Sequence, residues 1–251
     1  MRLANKRALI TGGARGLGAA IATAFAGAGA SVVVADIDER TGLDVADAIV
    51  AAGGDAWEIG LDVADPAGWD RVVAEVRHRR GGIDILVNNA AIASSLTRIE
   101  ERTPEDWDTS MAINAKGPFL GTRAFLPLFR AQGGGTIVNV SSVAGLGQSG
   151  IMDPAYACSK AALAMLTRIT AAQHAREGVR CNSVHPGPID SALARAAYTD
   201  AAALAVRLSR VPIGRLAEIG EVVAAVLFLA SDESSYITGT ALAVDGGALV
   251  Q

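Results

Sequence analysis

Apolar residues along the chain fall into short, almost unbroken runs at regular intervals: RALIT (7–11), SVVVAD (31–36), AWEIGLDV (56–63), IDILVNNA (83–90), GTIVNVSS (135–142), VRCNSV (179–184) and ALAVDGG (241–247). A strand with one wet face alternates apolar and polar residues, whereas a strand covered on both faces does not, so these runs predict parallel strands inside a sheet. Between them lie segments of helical character, at 16–28, 39–52, 66–80, 104–131, 155–176 and 218–230. This alternation predicts a doubly wound α/β domain, a seven-stranded parallel sheet with helices on both faces and ligands at the carboxyl ends of the strands. No proline- or serine-rich linker divides it, so a single domain over 1–251 is expected. The stretch 188–215 breaks the rhythm just after a strand end, and is expected to be a substrate-binding loop or lid.

With 251 residues, 51% of them hydrophobic and 19% charged, the chain can bury a large two-sided core, which excludes a disordered protein. A net charge of -4 without a long basic stripe argues against nucleic acid as a partner. The one basic cluster, RHRR at 77–80, precedes two glycines and is expected to be a helix C-terminus, where cations suit the dipole. The segment MRLANKRALITGG carries no long apolar stretch, so neither a signal peptide nor a membrane span is expected, and a cytoplasmic location is. Cys158 and Cys181 with His78, His174 and His185 show no ligand spacing. No metal site is expected, and both thiols are expected to be free and buried.

The first strand run leads into TGGARGLG, with Gly12, Gly16 and Gly18 ahead of a helical, alanine-rich segment. A loop without side chains lets the backbone approach a pyrophosphate, and the helix behind it offers free N–H groups and the positive end of its dipole. The second strand run ends in Asp36, where a carboxylate accepts hydrogen bonds from adenosine ribose hydroxyls and repels a 2′-phosphate. Arg15 is the opposing sign, a guanidinium able to reach a phosphate, but Ile37 supplies no second cation. The expected cofactor is NAD rather than NADP. In YACSK (156–160) a phenol and an ammonium lie one helical turn apart, on one face. A free tyrosine, titrating near about pH 10, is a poor base at neutral pH unless a neighbouring positive charge stabilises its phenolate. Lys160 is spaced to supply that charge.

Over almost the whole chain these segments resemble the short-chain dehydrogenase/reductase family, and are most similar to NAD-dependent bacterial hydroxysteroid and cyclic-alcohol dehydrogenases. TGGARGLG resembles the family's T-G-x-x-x-G-x-G loop, LDV (61–63) its acidic turn under the adenine, NNAA (88–91) its N-N-A-G and YACSK its Y-x-x-x-K. NAKG carries Asn114, NVSS carries Ser142, HPGPIDS resembles the P-G loop and ITGTALAVDGG the C-terminal strand. Ala91 departs from the usual Gly and adds a methyl group near the cofactor wall.

The resemblance implies a Rossmann-type oxidoreductase moving a hydride between NAD(H) and an uncharged, hydrophobic or cyclic secondary alcohol or ketone. It implies that Tyr156 is the general acid/base, that Ser142 holds the reacting oxygen, that Lys160 holds the nicotinamide ribose and lowers the tyrosine pKa, and that Asn114 positions a water. It further implies cofactor contacts from Gly12, Arg15, Gly16, Leu17, Gly18, Asp36, Ile37, Asp62, Val63, Asn89, Ala90, Tyr156, Lys160, Pro186, Gly187, Ile189 and Ser191. The substrate lining is expected from Ala93, Ser94, Ser142, Gln148, Met152, Pro188 and Leu193, mixed to apolar and without an arginine cluster. His185 is expected to be structural.

Two other readings stay open: an NADPH-dependent 3-oxoacyl carrier-protein reductase, for which a basic docking patch is expected, and a non-catalytic dinucleotide-binding sensor, which has no need of intact Ser142, Tyr156, Lys160 and Asn114. The helix running on from Lys160 is apolar almost all round and so must be covered on every side, which predicts a symmetric oligomer. The resemblance implies a homotetramer.

Overall fold

The computed structural model describes residues 1–93, 97–147, 153–190 and 201–250. Its strands are β1 (Arg7–Thr11), β2 (Ser31–Asp36), β3 (Asp55–Gly60), β4 (Ile85–Asn88), β5 (Gly135–Val140), β6 (Val179–Pro186) and β7 (Ala241–Val244). All pair in parallel, in the order β3-β2-β1-β4-β5-β6-β7. The helices are α1 (Gly16–Gly27), α2 (Glu39–Ala51), α3 (Pro66–Arg80), α4 (Pro104–Met111), α5 (Gly117–Ala131), α6 (Pro154–His174), α7 (Ala201–Leu208) and α8 (Ile219–Ala230).

Strand residues alternate between two cores. Ala8, Ile10, Val32 and Val34 pack with Ile21 and Phe25 of α1, Ala46 and Ile49 of α2 and Val222 and Val226 of α8. Leu9, Val33 and Ala35 point the other way, to Trp69, Val72 and Val76 of α3, Phe125 and Phe129 of α5 and Ala171 of α6. The unbroken apolar runs follow from this, because both faces of each central strand are covered. RHRR ends α3 as expected, closed by Gly81 in the left-handed region.

Several expected elements differ, β4, β5 and β7 being shorter than their apolar runs. The third strand stops at Gly60, before the acidic turn. The segment expected as one helix over 104–131 is divided by a π-helical turn, Ala112–Lys116, in which the Gly117 N–H reaches back to the Ala112 carbonyl. Pro118 has no N–H to offer the Asn114 carbonyl one α-turn earlier, so the ordinary ladder fails at this point. Of the expected lid over 188–215, residues 191–200 lie outside the described residues. Beyond them the chain returns beside the end of β6, where Ile189 bridges Ala217.

Candidate active site

Strand order reverses between β1 and β4, so the loops leaving these two strands part and open a cleft at their carboxyl ends. The glycine loop forms one wall. Gly12 has φ +62, in the region that favours glycine, and a methyl group there would stand 2.7 Å from the Ala90 Cα. At Gly18 a Cβ would lie 1.9 Å from the Gly12 carbonyl oxygen, so α1 can sit this close to the loop only without a side chain. Gly16, by contrast, faces open space. The loop is tied to the opposite wall: Asn89 donates its Nδ2 protons to the Thr11 and Gly12 carbonyls at 2.9 and 3.1 Å, and Thr11 Oγ1 accepts the Asn89 and Ala90 N–H groups.

Between the walls lies a cavity of about 640 Å³. Gly12, Arg15, Gly16, Leu17, Gly18, Asp36, Ile37, Asp62, Val63, Asn89, Ala90 and Ile189 all line it, as the motif reading requires. Ala91 lines it too, with its extra methyl group. Arg15 caps α1 without a side-chain hydrogen bond to the first turn, which leaves orphan N–H donors where an anion would meet the dipole. Cradle, donors and volume fit a dinucleotide.

The outer end of this cavity is acidic. Asp36 accepts the Ala14 N–H on Oδ2 and the Asp38 N–H on Oδ1, at 2.9 and 3.0 Å, and each oxygen keeps a lone pair for a further donor. Arg15 is turned into an ion pair with Asp38, and Ile37 is exposed. Burial, followed by the like charges of Glu39 and Asp36, pushes the Glu58 carboxyl upward.

Toward the other end the chain brings together residues far apart in sequence. Asn114, fully buried in the π turn, spends its side chain on two partners. Its Oδ1 accepts the Ile92 N–H and its Nδ2 donates to the Ile92 carbonyl, both at 2.9 Å, and Nδ2 also donates to Ser159 Oγ at 3.1 Å. The cavity wall at Ile92 is thereby joined to α6. Asp153 caps α6 by accepting the Tyr156 N–H at 2.8 Å, and a buried ion pair with Arg102 holds Asp153 itself. Lys160, also buried, donates its Nζ to the Val140 carbonyl at 2.9 Å and lies 5.7 Å from the centre of the Tyr156 ring.

Burial pushes the Lys160 ammonium down to about 8. Burial raises Tyr156 above its ordinary value, against a hydrogen bond with Ser142 that acts in the opposite sense. The Lys160 ammonium, bonded to the Val140 carbonyl, faces the Tyr156 ring across 5.7 Å.

Ser142, Tyr156 and Lys160 thus lie together, at the end of β5 and on the first turns of α6. Pro186 ends β6 and Gly187 follows it, Pro188 is half-buried and Ala93 is exposed. Ser94, Gln148, Met152, Ser191 and Leu193 fall outside the described residues. Leu61, Ile92, Ile113 and Ile219 also line the cavity and were not anticipated. Ile92 and Ile113 flank recognised motifs, which is a usable signal; Ile219, at the start of α8, has none. One expectation is corrected: Cys181 is buried, its thiol pushed up to about 12, but Cys158 is exposed, because it lies off the face shared by Tyr156 and Lys160. Among the described residues no cluster of metal-ligating side chains occurs, and no helix is long and apolar enough to cross a membrane.

A family model described as Enoyl-(Acyl carrier protein) reductase matches residues 12–248. The chain is 39% identical to the 2,5-dichloro-2,5-cyclohexadiene-1,4-diol dehydrogenase of Sphingobium indicum, over 98% of this chain and 97% of that one. It is also 39% identical to the 3-oxoacyl-[acyl-carrier-protein] reductase of Thermotoga maritima, over the full length of both. A crystal structure of a gluconate 5-dehydrogenase from Burkholderia cenocepacia, in complex with NADP and tartrate, superposes with a TM-score of 0.95 at 36% identity, covering 100% of this chain and 97% of that one. With the glycine cradle at the strand divide and matches along nearly its whole length, the chain belongs to the short-chain dehydrogenase/reductase family, enzymes that bind a nicotinamide dinucleotide.

Proposed function

We propose that the protein is an NAD-dependent dehydrogenase of an uncharged, cyclic or otherwise hydrophobic secondary alcohol, also able to run as a ketone reductase. The observation that carries the cofactor choice is the acidic end of the cavity. Asp36, Asp38, Glu39 and Glu58 gather there, and the guanidinium of Arg15, which lines the cavity, is already paired with Asp38. A 2′-phosphate would be repelled, whereas ribose hydroxyls find free lone pairs on Asp36. The NADP bound by the gluconate 5-dehydrogenase is a property of that protein.

When bound, the nicotinamide supplies hydride donation and acceptance. In this reading the glycine loop and the first turn of α1 hold the pyrophosphate, Asp62 and Val63 the adenine, and Asn89, Ala90, Pro186, Gly187 and Ile189 the nicotinamide half. Ser142 donates its hydroxyl to the substrate oxygen. Tyr156 exchanges a proton with that oxygen, accepting it from an alcohol as a phenolate stabilised by the Lys160 ammonium 5.7 Å from the ring centre, and donating it to a ketone as the phenol. Lys160 uses one donor on Val140 and keeps others for the nicotinamide ribose. The π turn frees the Asn114 carbonyl, which has lost its α-turn donor to Pro118, to hold a water that connects Lys160 with solvent. The segment 188–215 is the substrate-binding loop of this reading.

Equal identity to a ring-diol dehydrogenase and to a carrier-protein reductase leaves the second reading in play, with NADPH as its expected reductant. One experiment separates the two: NADH and NADPH titrations followed by cofactor fluorescence, then turnover of cyclohexanol, cyclohexane-1,4-diol, a 3-hydroxysteroid and a 3-oxoacyl thioester. Preference for NADH with oxidation of a ring alcohol supports the first reading; preference for NADPH with reduction of the thioester replaces it. The exposed apolar residues Phe119 on α5 and Met165 and Ile169 on α6 support a homotetramer built on these helices.

A further inference from the structure

His185, the histidine of the loop NSVHPG, is wholly enclosed. Its Nδ1 lies 2.9 Å from the Ser142 carbonyl oxygen and its Nε2 2.8 Å from Ser183 Oγ. A carbonyl only accepts, so Nδ1 carries the proton, and the Nε2 of a neutral ring then needs a donor. The Ser183 hydroxyl has one proton and two acceptors in reach, His185 Nε2 and the Thr240 carbonyl at 3.2 Å. That carbonyl already receives the Ser183 N–H at 2.9 Å, so the hydroxyl proton goes to the nearer imidazole. Burial, and then the charges of Lys160 and Arg168, hold the ring below its ordinary pKa against the raising effect of the Ser142 bond, in keeping with a neutral imidazole.

The place where this ring acts is the end of β5. Lys160 Nζ bonds the Val140 carbonyl, the Ser141 N–H bonds the Val184 carbonyl at 2.8 Å, and Ser141 Oγ bonds the Lys160 carbonyl at 3.0 Å. Pro186 brings no N–H to carry the β5–β6 ladder further; beyond Ser141 the chain enters a tight turn in which the Gly145 N–H donates to the Ser142 carbonyl at 3.0 Å, and His185 Nδ1 is the bond that ties this carbonyl back to β6. We infer that His185 is a positioning residue: as the Nδ1–H tautomer it grips the Ser142 carbonyl and so aims the serine hydroxyl at the reacting oxygen. This rests on the roles proposed above for Ser142 and Tyr156.

Two amide variants separate positioning from filling of the core. The Nδ2 of Asn coincides with the Nδ1 of His, whereas the amide of Gln reaches the Nε2 position. His185→Asn is expected to keep most of the wild-type kcat, while His185→Gln and His185→Leu lose about tenfold or more, since sub-ångström misplacement of a reacting group is costly. The assay uses whichever alcohol of the panel the wild-type enzyme oxidises fastest, and NADH affinity by fluorescence is expected to be unchanged in all three variants. Gln equal to Asn, or all three losing NADH affinity together with Tm, would overturn the inference.

Independently of any substrate, nitrogen-15 NMR of the three histidines reads the tautomer, with His185 assigned by its absence from His185→Asn. A proton on Nδ1 that does not titrate between about pH 5.5 and 8 is expected; a proton on Nε2 would refute the assignment. Tyr156→Phe keeps the two claims apart. If it retains turnover, the underlying reading fails whatever His185 does; if it abolishes turnover while His185→Leu does not, only the positioning role fails.

Discussion

The two halves of the cleft are built from different materials. The dinucleotide half is backbone: glycines that permit close approach, uncapped N–H groups at α1, and one carboxylate at a strand end. The other half is side chains buried against one another, with Asn114, Ser142, Lys160 and His185 each fastened to another element. A binding surface for a large polar ligand can rest on the main chain, because most of what it must recognise is phosphate and ribose. Proton transfer needs single groups held within tenths of an ångström, and this requires a network.

Substitutions on either side should therefore fail differently. Tyr156→Phe is expected to lower kcat by about a thousandfold or more while the dissociation constant for NADH stays put, since a positioned acid/base group contributes that order of acceleration; fluorescence titration beside steady-state kinetics measures both. Gly18→Ala should do the reverse. The added methyl group collides with the Gly12 carbonyl, so NADH affinity falls, and overpacking costs about 1–3 kcal/mol of stability, read as a drop in Tm.

Lys160→Met removes a buried charge along with the proposed ribose contact. Activity is lost, yet at pH 7 the variant should be more stable than wild type by about 1–3 kcal/mol. The sign follows from linkage. The folded-state pKa of about 8 lies below the unfolded value, so the wild-type lysine penalises folding below pH 8 and ceases to do so as pH climbs toward the unfolded value; the advantage of methionine fades across that window. Chemical denaturation at pH 7 and pH 10 tests it, and an advantage that grows with pH would contradict the assignment.

Asp36→Ala with Ile37→Arg should shift preference toward NADPH by about tenfold or more, equivalent to roughly 1.4 kcal/mol, with kcat little changed. Smallest in its effect on the single subunit is Met165→Glu, on the exposed face of α6. Its fold should be untouched, while sedimentation shows a smaller species; an unchanged mass would remove that helix from the proposed interface.

Much of the site was legible because its signals are local. A glycine loop between strand and helix, an acid ending the next strand and a tyrosine four residues before a lysine are all set by helix and strand geometry within one or two turns of chain. The same local rules established the two-sided core, since strands without alternation have nowhere to be but inside. They could not foresee that the helix over 104–131 would open into a π turn, although Pro118 was the cause in plain view, nor that Cys158 would face outward.

By itself, then, the amino-acid order determined the succession of elements, the parallel sheet and the residue types available at the strand ends. Only the tertiary structure decided who meets whom: Arg15 with Asp38 rather than a free guanidinium, Lys160 with Val140, Asn114 with Ser159 across 45 residues, and His185 with Ser142 across 43. Those contacts depend on strand register and on how closely α6 packs on the sheet. Hydrophobic periodicity constrains which face a residue occupies, but carries no information on which distant donor the packed fold will set opposite it.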